Sequence, residues 1–139
     1  MASANLSNES IPVLTKTITQ VKIDQFESCG IRDHQNIHNN PELAKQRLGT
    51  TYTIASGRMS VAFASESLRK FFGGEVFNHS GTVNLKFLRP VKEGDTITVG
   101  GTVNSLEKVE NGTKVTVDLY CENQNGDKTA VGQGSAIVS

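Results

Sequence analysis

An α+β fold is predicted, with one long central helix wrapped by a curved antiparallel β-sheet. Two observations carry it. From residue 79 onward, "SGTVNLKFLRPV", "DTITVGGTVNSLEKVE", "TKVTVDLYCENQ" and "KTAVGQGSAIVS" alternate apolar and polar side chains with the period of two that a half-buried strand requires. Ahead of them, "SGRMSVAFASESLRKFFGG" spaces Met59, Ala62, Phe63, Leu68, Phe71 and Phe72 so that apolar groups circle most of a helix. Such a helix needs cover, and the concave face of the sheet is the economical place for it.

In chain order, residues 1–11 are Ser- and Asn-rich without periodicity and read as a flexible tail, so that one domain spans 12–139. "VLTKTITQVK" alternates as a strand, and "IDQFESCG" suits a short helix closed by Gly30. The polar run "RDHQNIHNN" follows. Pro41 then opens "PELAKQRLG", where proline fits a first helical turn, Glu42 favours the positive end of the dipole, and Gly49 ends the helix. "TTYTIA" reads as a strand, and Ser56 as the cap of the long helix. The turns "KEGD", "ENG" and "NGD" are of the kind that joins antiparallel strands.

Composition removes several function classes. The 139 residues carry 14 basic and 14 acidic side chains, and no run of like charge, so there is no electrostatic footprint for nucleic acid or an anionic membrane. No apolar stretch is long enough to span a bilayer, and the N-terminus has neither a basic nor an apolar leader segment, which makes a soluble cytoplasmic protein the expectation. Cys29 and Cys121 lie far apart, and the three histidines, His34, His38 and His79, give no metal-site signal, so neither a disulfide framework nor a metal site is expected. No glycine-rich phosphate-binding motif occurs, which leaves no nucleotide cofactor indicated.

The segment "RDHQNIHNNPELA" carries the chemistry. It resembles the signature of the MaoC-like, (R)-specific enoyl-CoA hydratase/dehydratase family of hotdog-fold proteins: aspartate, any residue, asparagine, proline, an aliphatic residue, histidine, five residues, then a small one. Asp33, His38 and Ala44 occupy the matching positions, while Gln35 stands where asparagine is usual and Asn36 where proline is usual. The resemblance extends through the helix opening at Gly57 to "FLRPVKEGDTI".

It implies a hotdog fold and a lyase that reversibly hydrates trans-2-enoyl thioesters to (R)-3-hydroxyacyl thioesters, carried on coenzyme A or an acyl carrier protein, with no metal or redox cofactor. That addition needs a base for water, an acid for the α-carbon, and donors for the enolate-like oxygen. The resemblance implies Asp33 and His38 for the first two, and Gly57 at the helix N-terminus for the third. Ser56 stands where the family more often has histidine, Arg58 departs from the apolar residue usual there, and Ser65 matches a serine found near the catalytic pair in some relatives. The alternatives are a dehydratase-like or cyclising enzyme acting on a specialised substrate, and a non-catalytic acyl-binding subunit. A thioesterase would draw its carboxylate from the long helix, where Glu66 is the residue available. An exposed sheet edge predicts a homodimer.

Overall fold

The computed structural model describes residue 6 and residues 8–29 and 35–139. Its elements are β1 (Leu14–Thr17), α1 (Gln20–Ser28), α2 (Pro41–Leu48), α3 (Gly57–Phe72), α4 (Gly74–Ser80), β2 (Thr82–Phe87), β3 (Thr96–Val109), β4 (Gly112–Glu122) and β5 (Lys128–Val138). The strands form one antiparallel sheet in the order β1-β3-β4-β5-β2. The register shifts twice, at Asn104 of β3 and at Thr129 of β5 opposite Cys121 and Glu122, irregularities of the kind that bend long strands.

The core lies between α3 and the sheet. Met59, Ala64, Leu68, Phe71 and Phe72 bury one face of the helix against Val99, Val103, Val115, Val117 and Leu119. Closeness is set by Gly134 of β5, where a Cβ would stand 2.3 Å from Leu68 Cδ1. The helix is not covered all round, however. Arg58, Ala62 and Arg69 are exposed with half-buried Ser65 between them, a stripe at spacings of four, three and four that points away from the sheet.

Local chemistry explains the element ends. Thr19 Oγ1 accepts from the Lys22 N–H at 3.2 Å, so α1 begins three residues ahead of the expected "IDQFESCG" and shortens the leading strand to Leu14–Thr17. Asn40 caps α2 through the Glu42 and Leu43 N–H groups, and Gly49 ends it in the left-handed region at φ 72°. Gly73, at φ 91°, breaks the long helix after Phe72, and a separate helix, α4, fills the stretch before β2. His79 lies in the last turn of that helix.

Two expectations are corrected. "TTYTIA" forms no strand, because its polar groups bond to α1 and to a loop and not to a neighbouring strand: Thr53 Oγ1 donates to Gln20 Oε1 at 2.8 Å and the Ala55 N–H to the Val91 carbonyl at 2.6 Å. The packed body also begins before Pro12. Leu6 and Ile11 are buried in the core, Ser10 bridges to Thr102, and the Val103 N–H donates to the Glu9 carbonyl at 2.8 Å. Backbone pairing with β3, not hydrophobic periodicity, holds this stretch, which is why composition alone reads it as a tail.

The two cysteines differ sharply. Cys29 is exposed, whereas Cys121 is buried in β4 and its thiol is pushed up to about 11 by desolvation. The unfolded chain gives up that proton near the ordinary 9.0, so the stabilising difference is full below that pH and is lost as pH climbs towards 11. A thiol-alkylating reagent at about pH 8 is expected to label only Cys29 in the native protein and both cysteines in denaturant. Native labelling of Cys121 would contradict its burial.

Candidate functional site

The site is built where α2's approach, the start of α3 and the connection after β2 meet. A groove of about 330 Å³ is lined on one side by His38, Ile54, Ala55 and the α3 residues Ser56, Gly57 and Ser60. Phe87, Leu88, Arg89, Pro90 and Val91 form the other side, with Thr129 of β5 at its floor. Backbone bonds pin that second wall: the Leu88 and Arg89 N–H groups donate to the Thr129 carbonyl at 2.8 and 3.3 Å, and the Val91 carbonyl accepts from Ala55.

His38 owes its place to a turn of side-chain hydrogen bonds. The Asn36 Oδ1 accepts from the backbone N–H groups of His38 and Asn39 at 2.8 and 3.2 Å, an Asx-type turn leading into the α2 cap. The ring Nδ1 lies 2.7 Å from the Ile54 carbonyl oxygen. A carbonyl only accepts, so Nδ1 carries the proton and the neutral ring keeps its lone pair on Nε2. A half-buried imidazole in that tautomer is equipped to take a proton from water.

The start of α3 supplies the opposite polarity. Ser56 is buried at the cap, where its Oγ accepts from the Arg58 N–H at 3.3 Å and its carbonyl from the Met59 N–H at 2.9 Å, so that among the described residues the Gly57 N–H is the first-turn donor left for the groove. Gly57 is the first helical residue, and a Cβ there would stand 2.7 Å from the Phe87 ring. Glycine is therefore what allows aromatic wall and helix start to approach this closely.

The residues singled out in the sequence divide accordingly. His38, Ser56 and Gly57 come together at the groove. Asp33 lies outside the described residues, as does His34. Arg58 does not line the groove: it is exposed, with Nε 3.4 Å from Ser56 Oγ. Ser65 is also elsewhere, on the outward stripe of α3, where its hydroxyl donates to the Val61 carbonyl at 2.8 Å. Ser60, one turn after Gly57 and buried, lines the groove in its stead, and a helical projection from Gly57 would have found it. Glu66 is remote as well, held between Lys16 at 3.1 Å and Lys70 at 3.6 Å. Among the described residues, no group of three or more His, Cys, Asp or Glu side chains could hold a metal, and no helix is long and apolar enough to cross a membrane.

Residues 4–125 match the family model described as the MaoC like domain. The chain belongs to the MaoC-like family. Solved structures agree with a MaoC-like hotdog architecture. A monoamine oxidase regulatory protein of Archaeoglobus fulgidus is 26% identical, covering 95% of this chain and 89% of its own, with a TM-score of 0.76. An R-hydratase of Pseudomonas aeruginosa, in its unliganded form, is 22% identical over 95% of this chain and 81% of its own, with a TM-score of 0.75. An (R)-hydratase of A. caviae involved in PHA biosynthesis is 17% identical over 99% of this MaoC-like chain and 100% of its own, with a TM-score of 0.73. No curated protein sequence matches significantly.

Proposed function

We propose that this MaoC-like protein is a lyase that reversibly adds water to a trans-2-enoyl thioester to give the (R)-3-hydroxyacyl thioester. One observation carries the reading: the bond from His38 Nδ1 to the Ile54 carbonyl leaves Nε2 as a base in a groove that also receives the N-terminus of α3. Two solved relatives described as (R)-hydratases, and a 3R-hydroxyacyl-ACP dehydratase complex of Mycobacterium tuberculosis at 14% identity and TM-score 0.77, support it.

In this reaction His38 takes one proton from water as the oxygen bonds to C3. The electron pair of the C2–C3 double bond moves towards the thioester carbonyl, whose oxygen becomes enolate-like. The Gly57 N–H, at the positive end of α3, holds that developing charge. Collapse of the enolate draws a proton onto C2 from Asp33, the acid that the motif supplies. A proton returned from His38 to Asp33 through solvent resets the pair. Such chemistry requires no metal or redox group. The acyl carrier is coenzyme A or a carrier protein, and the setting is cytoplasmic.

Glu66 does not share this groove, which favours hydration over hydrolysis of the thioester. The deciding experiment adds crotonyl-CoA and a longer trans-2-enoyl-CoA to the wild-type protein and follows loss of the conjugated enoyl absorbance. Turnover of either to the (R)-3-hydroxy product supports the proposal. A folded protein that releases free CoA instead would replace it with a thioesterase.

The active form is a homodimer. Strand β2 is an edge of the sheet, and it runs into Phe87 and Leu88, which are 52% and 47% exposed beside the groove. A second chain covering that edge would remove both liabilities. Sedimentation equilibrium is expected to return twice the chain mass, and a single-chain mass would count against it.

A further inference from the structure

The buried acid of α1 has no part in the chemistry described so far. Glu27 is only 7% exposed, and among the described residues no group bonds its Oε2. Its other oxygen accepts from Asn36 Nδ2 at 2.8 Å. A buried carboxylate is costly to desolvate, so one that spends a single oxygen on one amide is an arrangement that packing alone does not explain.

The consequence lies at the other end of that amide. With Nδ2 committed to a carboxylate, which only accepts, Asn36 Oδ1 is turned onto the His38 and Asn39 N–H groups. The amide is thus oriented by chemistry at both ends. Two helical turns earlier on the same face of α1, Gln20 Nε2 donates to the His38 carbonyl at 3.2 Å, while its Oε1 accepts from Thr53 beside Ile54. Helix α1 therefore grips the His38 segment twice, once on the backbone of His38 and once through Asn36. Asn36 stands where the family signature usually has a proline, which would stiffen the loop through its ring; here the stiffness comes from a hydrogen bond to another element.

We propose that Glu27 is a positioning residue, which through Asn36 fixes the backbone turn that aims His38 into the groove. Resting on the hydratase reading for its kinetic arm, the proposal expects Glu27→Ala to lower kcat by about 10²-fold with KM unchanged, the cost typical of a group displaced by about 1 Å. Glu27→Gln keeps an acceptor for Asn36 and is expected to restore most of that rate. Asn36→Ala is expected to lose as much as Glu27→Ala, and the double variant no more than either, since both cut one chain of contacts.

The spectroscopic arm needs no turnover. In NMR spectra of the full chain, the His38 imidazole signals, assigned by their absence in His38→Ala, are expected to shift in Glu27→Ala and Asn36→Ala, with those of His79 unmoved and Glu27→Gln close to wild type. Unmoved His38 signals in a folded Glu27→Ala or Asn36→Ala protein would overturn the proposal, whether or not the protein hydrates enoyl thioesters. So would equal loss in Glu27→Gln and Glu27→Ala, since that would make the charge, and not the hydrogen bond, the active property. Should Glu27→Ala not fold, Asn36→Ala carries the same decision. Inactivity of wild type with shifted His38 signals would remove the hydratase reading and leave the positioning role standing.

Discussion

His38→Ala is expected to reduce the rate of enoyl-thioester hydration by about 10²- to 10⁴-fold, the range that a well-placed general base contributes. Stability should change little, because the side chain is half-buried and gives up one hydrogen bond, worth about 1 kcal/mol, to the Ile54 carbonyl. Asp33→Asn keeps the size of the side chain and removes the acid, and is expected to cost as much. Because base and acid act as a unit in one addition, the double variant should be scarcely slower than either single one. Steady-state kinetics on crotonyl-CoA at saturating substrate gives the comparison. A His38→Ala protein with wild-type kcat would show that His38 is not the base, whereas a folded wild type that hydrates no enoyl thioester would leave the non-catalytic acyl-binding reading.

The largest effect on stability is expected from Leu68→Ala. Leu68 is wholly buried in the middle of α3 and reaches the sheet where Gly134 leaves room for it. Truncation removes the transfer free energy of the side chain and leaves a cavity that two rigid elements cannot close, for a cost of about 2–5 kcal/mol. In a chain of this length that lowers Tm by on the order of 10 °C, read by denaturation at fixed protein concentration so that association does not confound it. The reverse change tests the same contact. Gly134→Ala alone drives a methyl group into Leu68, whereas in the Leu68→Ala background it partly fills the void. The double variant is thus expected to be more stable than the two single losses summed, and strict additivity would show that helix and sheet do not meet there.

How much of this was legible depended on how local the cause is. The long strands and α3 could be read because burial on one face imposes a period of two or 3.6 on neighbouring residues. The ends of α2 could be read because Pro41, Glu42 and Gly49 act within one turn, although the Asn40 cap was not read. Residues 50–55 misled for the same reason: their alternation looks like a strand, but the partners of Thr53, Ile54 and Ala55 are Gln20, His38 and Val91, none of them an adjacent strand. Ser65 misled as well, since one helix offers serines on several faces and only its packing selects Ser60 for the groove.

By itself, then, the sequence determined the fold class, the motif with His38, and the capped glycine start of α3, because each is written in spacing along the chain. Tertiary structure alone decided that the connection after β2 forms the second wall of the groove, that Ile54 sets the His38 tautomer, and that a buried glutamate on α1 holds the turn beneath it. Those contacts join residues separated by long stretches of chain, and no period or spacing records which distant backbone carbonyl or carboxylate folding will bring within hydrogen-bond reach.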